Sequence, residues 1–208
     1  MKVEIFPTGP IMVNTYLVYD DNNNAFIVDP GGASRSLIQT IESKGLNPQY
    51  IVLTHGHGDH IGGIDDFLDI YPNIKVVAPE KEKELLSDGK LNSSLELYGR
   101  EIIVKPDVWV RDCDHIEIGD MELVFIETPG HTEGGVCIKC GNCLFSGDTL
   151  FRESIGRTDL YGGSYREILK SIKEKIYTLP DDTAVYPGHM GTTTVGHEKK
   201  RNPFVREY

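Results

Sequence analysis

The 208-residue sequence predicts a mixed α/β protein in which sheets pack together and helices cover their outer faces. Three observations carry that expectation. Short apolar and β-branched runs recur along the chain, amphipathic helical segments interrupt them at intervals, and no Gly/Ser tract, Pro-rich spacer or long charge block divides one part from another. Residues 1–208 therefore read as one domain, and 39% hydrophobic against 25% charged residues is enough to bury a core.

Taken in order, "NTYLVYD" and "NAFIVDPGG" read as a hairpin separated by the turn cluster "DNNN". "SRSLIQTIESKG" places Leu37, Ile38 and Ile41 at helical spacing, with Gly45 as a stop. "YIVLT" is a buried strand by its β-branched content, "IGGIDDFLDIYP" a helix ended by Pro72, and "KVVAP" another strand. Residues 79–99 suggest one or two short helices with Leu85 and Leu86 inward. "DVWVRD", "HIEIGD", "ELVFIET" and "CLFSGDTLF" read as strands. "SYREILKSIKEKIYTLP" is a helix opened by a Ser164/Glu167 capping box, and "DTAVYPG" is a last strand.

Composition narrows the function. A formal net charge of −11 disfavours nucleic acid as a partner. The one dense basic run, "EKKR" at 198–201, reads as a solvated tail. No apolar run approaches the ~20 residues of a membrane span, and the first residues lack the zones of a signal peptide, so a cytoplasmic protein with no membrane partner is expected. "GGVCIKCGNCLFSGD" carries Cys137, Cys140 and Cys143 at C-x-x-C-x-x-C spacing. As two strands around Gly141-Asn142, however, it sets Cys140 opposite Cys143 and points Cys137 to the other face. Small buried side chains fit that pattern better than a shared metal.

Four apolar runs end alike. "YIVLT" leads into "HGHGDH", with His55, His57, Asp59 and His60; "LVFIETPG" leads into His131, "CLFSG" into Asp148 and "TAVYPG" into His189. Ligands gather where strand ends converge. Alternate positions let His55 and His57 face one point, with Gly56 and Gly58 freeing the backbone to turn. His115 and His197 read as surface residues. Imidazole and carboxylate donors suit zinc, with iron and manganese as alternatives. One zinc needs three protein ligands and an open position, so five imidazoles and two carboxylates suit two divalent ions about 3.5–4 Å apart. Asp59, Asp148 and a bridging hydroxide would leave that site near one positive charge, attractive to an anionic small molecule.

The H-x-H-x-D-H motif followed by His131, Asp148 and His189 resembles the metallo-β-lactamase superfamily over nearly the whole chain. The resemblance implies a four-layer αββα sandwich with metals at one edge. It implies one ion on His55, His57 and His131, a second on Asp59, His60 and His189, and Asp148 bridging. "DPGG" (29–32), "SGDTLFRESIGRTDLYGG" (146–163), "YPGH" (186–189) and "HEKKRNPF" are most similar to short glyoxalase II-type (hydroxyacylglutathione hydrolase-type) hydrolases, which lack the helical C-terminal domain of the longer enzymes. Thioester hydrolysis by a metal-bridging hydroxide is the expected reaction, with Asp59 and Asp148 at its centre. Arg157 is the expected grip on a substrate carboxylate, unless it pairs with Asp159. Tyr161, Asn14 and the Met12 region are expected near the pocket. Persulfide dioxygenases share the fold and a similar "GRTD" stretch, and would use one Fe(II) on His55, His131 and Asp148. Lactone, β-lactam and phosphodiester hydrolysis need the same pair of ions.

Overall fold

The computed structural model describes residues 1–205. Its first sheet comprises β1 (Lys2–Thr8), β2 (Val13–Tyr19), β3 (Asn24–Val28), β4 (Asn47–Val52), β5 (Lys75–Pro79) and β6 (Val108–Val110), in that spatial order. The first three strands run antiparallel, and β3 to β6 are parallel. Helices α1 (Arg35–Lys44), α2 (Gly58–Ile61), α3 (Ile64–Ile70), α4 (Lys83–Leu86) and α5 (Ser94–Tyr98) fall in its connections. The second sheet comprises β7 (His115–Ile118), β8 (Met121–Glu127), β9 (Val136–Cys140), β10 (Cys143–Gly147), β13 (Ala184–Pro187) and β14 (Thr193–Thr194), with order β14-β13-β10-β9-β8-β7. A small hairpin, β11 (Leu150–Phe151) with β12 (Ser154–Ile155), α6 (Tyr165–Ser171) and α7 (Val195–Arg201) complete it.

Alternation along each strand creates four layers. In β2 and β3, Leu17, Tyr19, Ala25 and Ile27 face the core beneath α1 and α3, while Tyr16, Val18, Phe26 and Val28 face the second sheet. Val52 and Val77 join the inter-sheet core, where they meet Phe125, Ile138 and Phe145. The outer side of the second sheet, with Cys137, Leu144 and Val185, packs on Ile168, Ile172 and Ile176. Strands buried on both faces read as continuous apolar runs, which is why "YIVLT" and "KVVAP" show no polar alternation.

The cysteine reading holds in detail: Cys140 pairs in register with Cys143, Cys137 lies on the opposite face in another core, and all four thiols are free. Several boundaries differ from expectation. The helix expected over 61–72 is broken at Gly62-Gly63, and α3 ends at Ile70 with Tyr71 as its cap. The strand expected over 143–151 stops at Gly147, whose φ of +48° turns the chain, and resumes as β11. The long helix expected after Ser164 continues past Ser171 as one π-type turn, Ile172–Ile176, which keeps Ile172 and Ile176 inward. Strand β1 was not legible because it is an edge strand with mixed polarity and a proline. The "EKKR" run is no tail. It lies in α7, where the fully buried Glu198 accepts from the Glu153 amide at 2.8 Å and the Thr193 hydroxyl at 2.6 Å.

The capping box is half formed. Ser164 Oγ accepts from the Glu167 amide at 3.3 Å, but the Ser164 amide donates to the Gly130 carbonyl at 2.8 Å instead of to Glu167. Helix α6 is thereby tied to the loop that carries His131. Replacing Ser164 with Ala should cost about 1 kcal/mol of stability, read as a lower urea midpoint with unchanged slope.

Candidate metal centre

The ends of β4, β8, β10 and β13 converge on one edge of the two sheets. There the loops bring His55, His57, Asp59, His60, His131, Asp148 and His189 together. Two groups of side chains offer ligand atoms within 4.8 Å of one another: His55 with His57 and His131, and Asp59 with His60 and His189. Asp148 spans them, with Oδ1 3.3 Å from His60 Nε2 and Oδ2 3.6 Å from His131 Nε2 and 3.7 Å from His189 Nε2. His189 Nε2 lies 3.0 Å from Asp59 Oδ2. His115 and His197 lie apart, paired with Glu122 and Glu153.

Outer partners orient three of the imidazoles. Asp29, at the end of β3, accepts from the Thr54 amide at 2.8 Å and the Thr54 hydroxyl at 2.6 Å. With its proton committed to Asp29, Thr54 Oγ1 can only accept from His55 Nδ1, 3.0 Å away. Asp29 Oδ2 also accepts from His60 Nδ1 at 2.9 Å, and the Arg157 carbonyl accepts from His131 Nδ1 at 2.7 Å. In each case Nδ1 holds the proton, and Nε2 is directed to the common centre. In a third group, Asp29 with His55 and His60, the Asp29 oxygens already accept from Thr54 and His60, which places Asp29 as an outer partner of the other two groups.

The fit to cations rests on atoms without partners. The Nε2 atoms of His55, His57 and His60 and Oδ1 of Asp148 are buried and make no hydrogen bond among the described residues. Leaving such atoms unpaired costs about 1–3 kcal/mol each. Convergent imidazoles and carboxylates are the donor set of a first-row divalent cation. Gly188 belongs to the same cradle: a Cβ there would collide with Asp148 and His60.

Electrostatics follow from the crowding. Burial, reinforced by His60 and His131, holds His55 well below the usual imidazole range; burial and His131 bring His57 down to about 3. Burial opposes a charge on His60 too, but Asp59, Asp148 and Asp29 outweigh it and raise its pKa. Burial would raise Asp59 and Asp148, yet the His60 charge beside them keeps both carboxyls below the ordinary range.

A cleft of about 460 Å³ opens onto His57, Asp59, His131, Asp148 and His189. A family model for the metallo-beta-lactamase superfamily matches residues 8–189, from the last residue of β1 to the final imidazole of the site. The chain belongs to the metallo-beta-lactamase superfamily. It is 41% identical to the probable metallo-hydrolase YqgX of Bacillus subtilis over 100% of this chain and 99% of that protein. It is 35% identical to the hydroxyacylglutathione hydrolase GloC of Haemophilus influenzae over 99% of this chain and 98% of that protein. Among solved structures it matches the BLEG-1 B3 metallo-beta-lactamase with a TM-score of 0.91, at 42% identity, covering 98% of this chain and 99% of that one. TTHA1623 in a di-iron-bound form matches with a TM-score of 0.85 at 30% identity, covering 98% and 100%. The four-layer arrangement is therefore the superfamily's sandwich.

Other expectations about this superfamily site need correction. Gly56 and Gly58 are not there to bend the chain, since neither has a positive φ; they make room. A Cβ on Gly58 would come within 2.8 Å of the Ser94 backbone, and one on Gly56 within 3.1 Å of Leu86. Arg157 lines the cleft as expected, and its guanidinium takes the expected alternative, a two-pronged pair with Asp159 at 2.7 and 2.9 Å. Tyr161 does not enter the cleft. It is exposed, and lines a separate small depression with Lys81, Glu84 and Glu133. Asn14 acts through the backbone, its side chain donating to the Pro187 and Met190 carbonyls.

Two residues escaped sequence reading. Asp29 was findable, because "NAFIVD" ends a strand like the other ligand-bearing runs. Glu82 was not. It is 1% exposed within a charged run, and it accepts from the Gly56 amide at 2.7 Å and the Gly134 amide at 2.8 Å, clamping the His55–His57 loop to the His131 loop.

Replacing Asp29 with Ala should weaken metal affinity about 10–100-fold in competition with a chromogenic chelator, because His55 and His60 lose their orientation. The pH response of the metal-free chain follows from His55 and His57. Folded, they resist protonation; unfolded, they take up protons below about pH 6.5. Stability should fall on acidification from there, by up to about 1.4 kcal/mol per pH unit for each imidazole. His60 does not offset this, since its raised pKa gives stabilisation complete below about pH 6.5 and lost as pH rises through the folded value. Urea titrations of chelator-treated protein between about pH 7.5 and 5 read the slope; a flat profile contradicts it.

Proposed function

We propose that this protein is a metal-dependent hydrolase that cleaves thioesters, with two divalent ions held in the converging imidazole and carboxylate groups. His55, His57 and His131 would hold one ion, Asp59, His60 and His189 the other, and Asp148 would lie between. The observation that carries the reading is the convergence of buried imidazole and carboxylate groups, with ring nitrogens of His55, His57 and His60 that make no hydrogen bond among the described residues. The full-length similarity to GloC, a hydroxyacylglutathione hydrolase, supports a thioester substrate, and the di-iron form of TTHA1623 supports a pair of ions. Zinc and iron both suit nitrogen and oxygen donors.

Bound divalent cations supply Lewis acidity at a carbonyl oxygen and bring the pKa of a bound water toward ~7. This chain's side chains do the rest. The Thr54–Asp29 bonds and the Arg157 carbonyl keep His55, His60 and His131 from rotating, so donor geometry is set before substrate arrives. Asp59 and Asp148 border the cleft and would place carboxylate oxygens beside the substrate and water when the ions are bound. Side chains such as Leu97 and Phe151 in the cleft wall limit competing water. A thiol with pKa ~8.5 leaves readily as thiolate, so no dedicated acid is required.

Elemental analysis should find about two metal ions per chain. His57→Ala and Asp148→Ala should lose metal and bring thioester hydrolysis to background. A panel that includes a β-lactam, a lactone and a phosphodiester separates the related chemistries. Cleavage of one of those with thioesters untouched would overturn the substrate assignment. One iron per chain, with oxygen uptake on glutathione persulfide, would replace it with the dioxygenase reading.

A further inference from the structure

The cleft that opens onto the metal groups is largely apolar. Ile11, Leu97, Phe151, Ile155, Leu160 and Met190 form its walls. Apart from the imidazoles, the cationic group in its lining is Arg157, already matched by Asp159, and the exposed Glu96 adds a negative charge. A carboxylate-bearing substrate therefore finds no unmatched side-chain cation in the lining beyond the imidazoles. An apolar chain finds walls on several sides.

The rim is more unusual than the walls. Ile11 is 48% exposed, Met12 60% and Met190 59%, three large apolar side chains left in water at or beside one opening. Met12 and Met190 also hold left-handed backbone, with φ of +59° and +69°, a conformation that is costly for an unbranched non-glycine side chain unless neighbours enforce it. The enforcement is visible at Met190. Asn14 Nδ2 bonds its carbonyl at 2.9 Å and that of Pro187 at 3.0 Å, while the Asn14 amide donates to the Gly188 carbonyl at 2.7 Å. The fold thus fixes the backbone of a flexible thioether side chain at the mouth, next to His189. Methionine adapts its shape to apolar ligands of varied outline, and exposed apolar groups clustered at a cleft mark a contact surface.

We propose that the substrate is a neutral thioester with an extended apolar acyl chain, which lies between Ile11 and Met190 at the mouth and Leu97, Phe151, Ile155 and Leu160 within. This rests on the thioester reading for the bond that is cleaved, but not for the apolar contact. It departs from the anionic substrate expected on charge alone, because the positive character of a metal-loaded centre is confined to the reacting carbonyl, while the recognising walls carry no unmatched cation.

The test uses the metal-loaded protein and two neutral probe series. N-acetylcysteamine thioesters from acetyl to octanoyl report turnover. S-alkyl-N-acetylcysteamine thioethers of matching length cannot be hydrolysed and report binding by calorimetry. Both kcat/KM and affinity should rise roughly threefold to fourfold per added methylene until the cleft is filled. Met190→Asn, which keeps a side chain tolerant of left-handed backbone, and Ile11→Ser should each flatten that dependence in both the turnover and the binding series. Hydrolysis that is independent of chain length, or faster with the carboxylate-bearing S-lactoylglutathione, overturns the inference and leaves the hydrolase reading intact. Thioether affinity that rises with length in a protein that cleaves no thioester keeps the apolar contact and removes the thioester assignment. Sedimentation that shows a dimer lost in Met190→Asn, with no length-dependent binding, assigns the rim to a second copy and also overturns the inference.

Discussion

Everything in this molecule turns on a burial that would be unfavourable by itself. Several imidazoles and carboxylates lie together at one sheet edge, and some of their atoms make no hydrogen bond among the described residues. Two sheets and two helical layers exist around them, and the stability of three apolar cores holds these groups where an isolated loop would let them escape to water. The parallel runs β3–β4 and β10–β13 send their C-terminal ends to the same edge, so loops far apart in sequence open onto one place. A centre assembled this way does not depend on the stiffness of any single loop.

Charge and orientation are divided between inner and outer residues. Without metal, the surrounding carboxylates favour a charge on His60, which in turn holds Asp59 and Asp148 below the ordinary range, while burial keeps His55 and His57 neutral. Asp29 serves both strands of that division, since one carboxylate orders Thr54, and through it His55, and also His60. The cleft continues the theme. Beside the imidazoles and carboxylates of the site, its lining is mainly apolar, with Ile11, Leu97, Phe151, Ile155, Leu160 and Met190. The candidate metal donors and the apolar lining are thus different side chains, an arrangement compatible with one superfamily sandwich among proteins described as a metallo-hydrolase, a hydroxyacylglutathione hydrolase and a B3 β-lactamase.

Much of this was legible beforehand, for reasons that can be traced. "YIVLT" and "CLFSG" reveal themselves because a strand buried on both sides must be apolar throughout, and the residues that follow them stand out by their chemistry. The cysteine hairpin followed from alternation alone. What escaped was set by tertiary contact. The role of Gly58 is defined by Ser94, 36 positions further on, so it was mistaken for a hinge when it is a point of close approach. Tyr161 looked near the pocket because its segment is; the turn through Gly162, with φ of +74°, sets it beside Glu84 instead. Glu82 sits in "PEKEKELL", where nothing distinguishes it from its charged neighbours until the fold encloses it.

Glu82 bears on any attempt to move this centre elsewhere. Its carboxylate staples two segments that belong to different sheets, through their amides and not through the groups that do the chemistry. A designer who transplanted only the seven conspicuous histidines and aspartates onto a foreign scaffold would copy the visible pattern and omit the fastener. The graft would have the right composition and a loose assembly, and a portable version of this centre must carry an inconspicuous glutamate along with its celebrated neighbours.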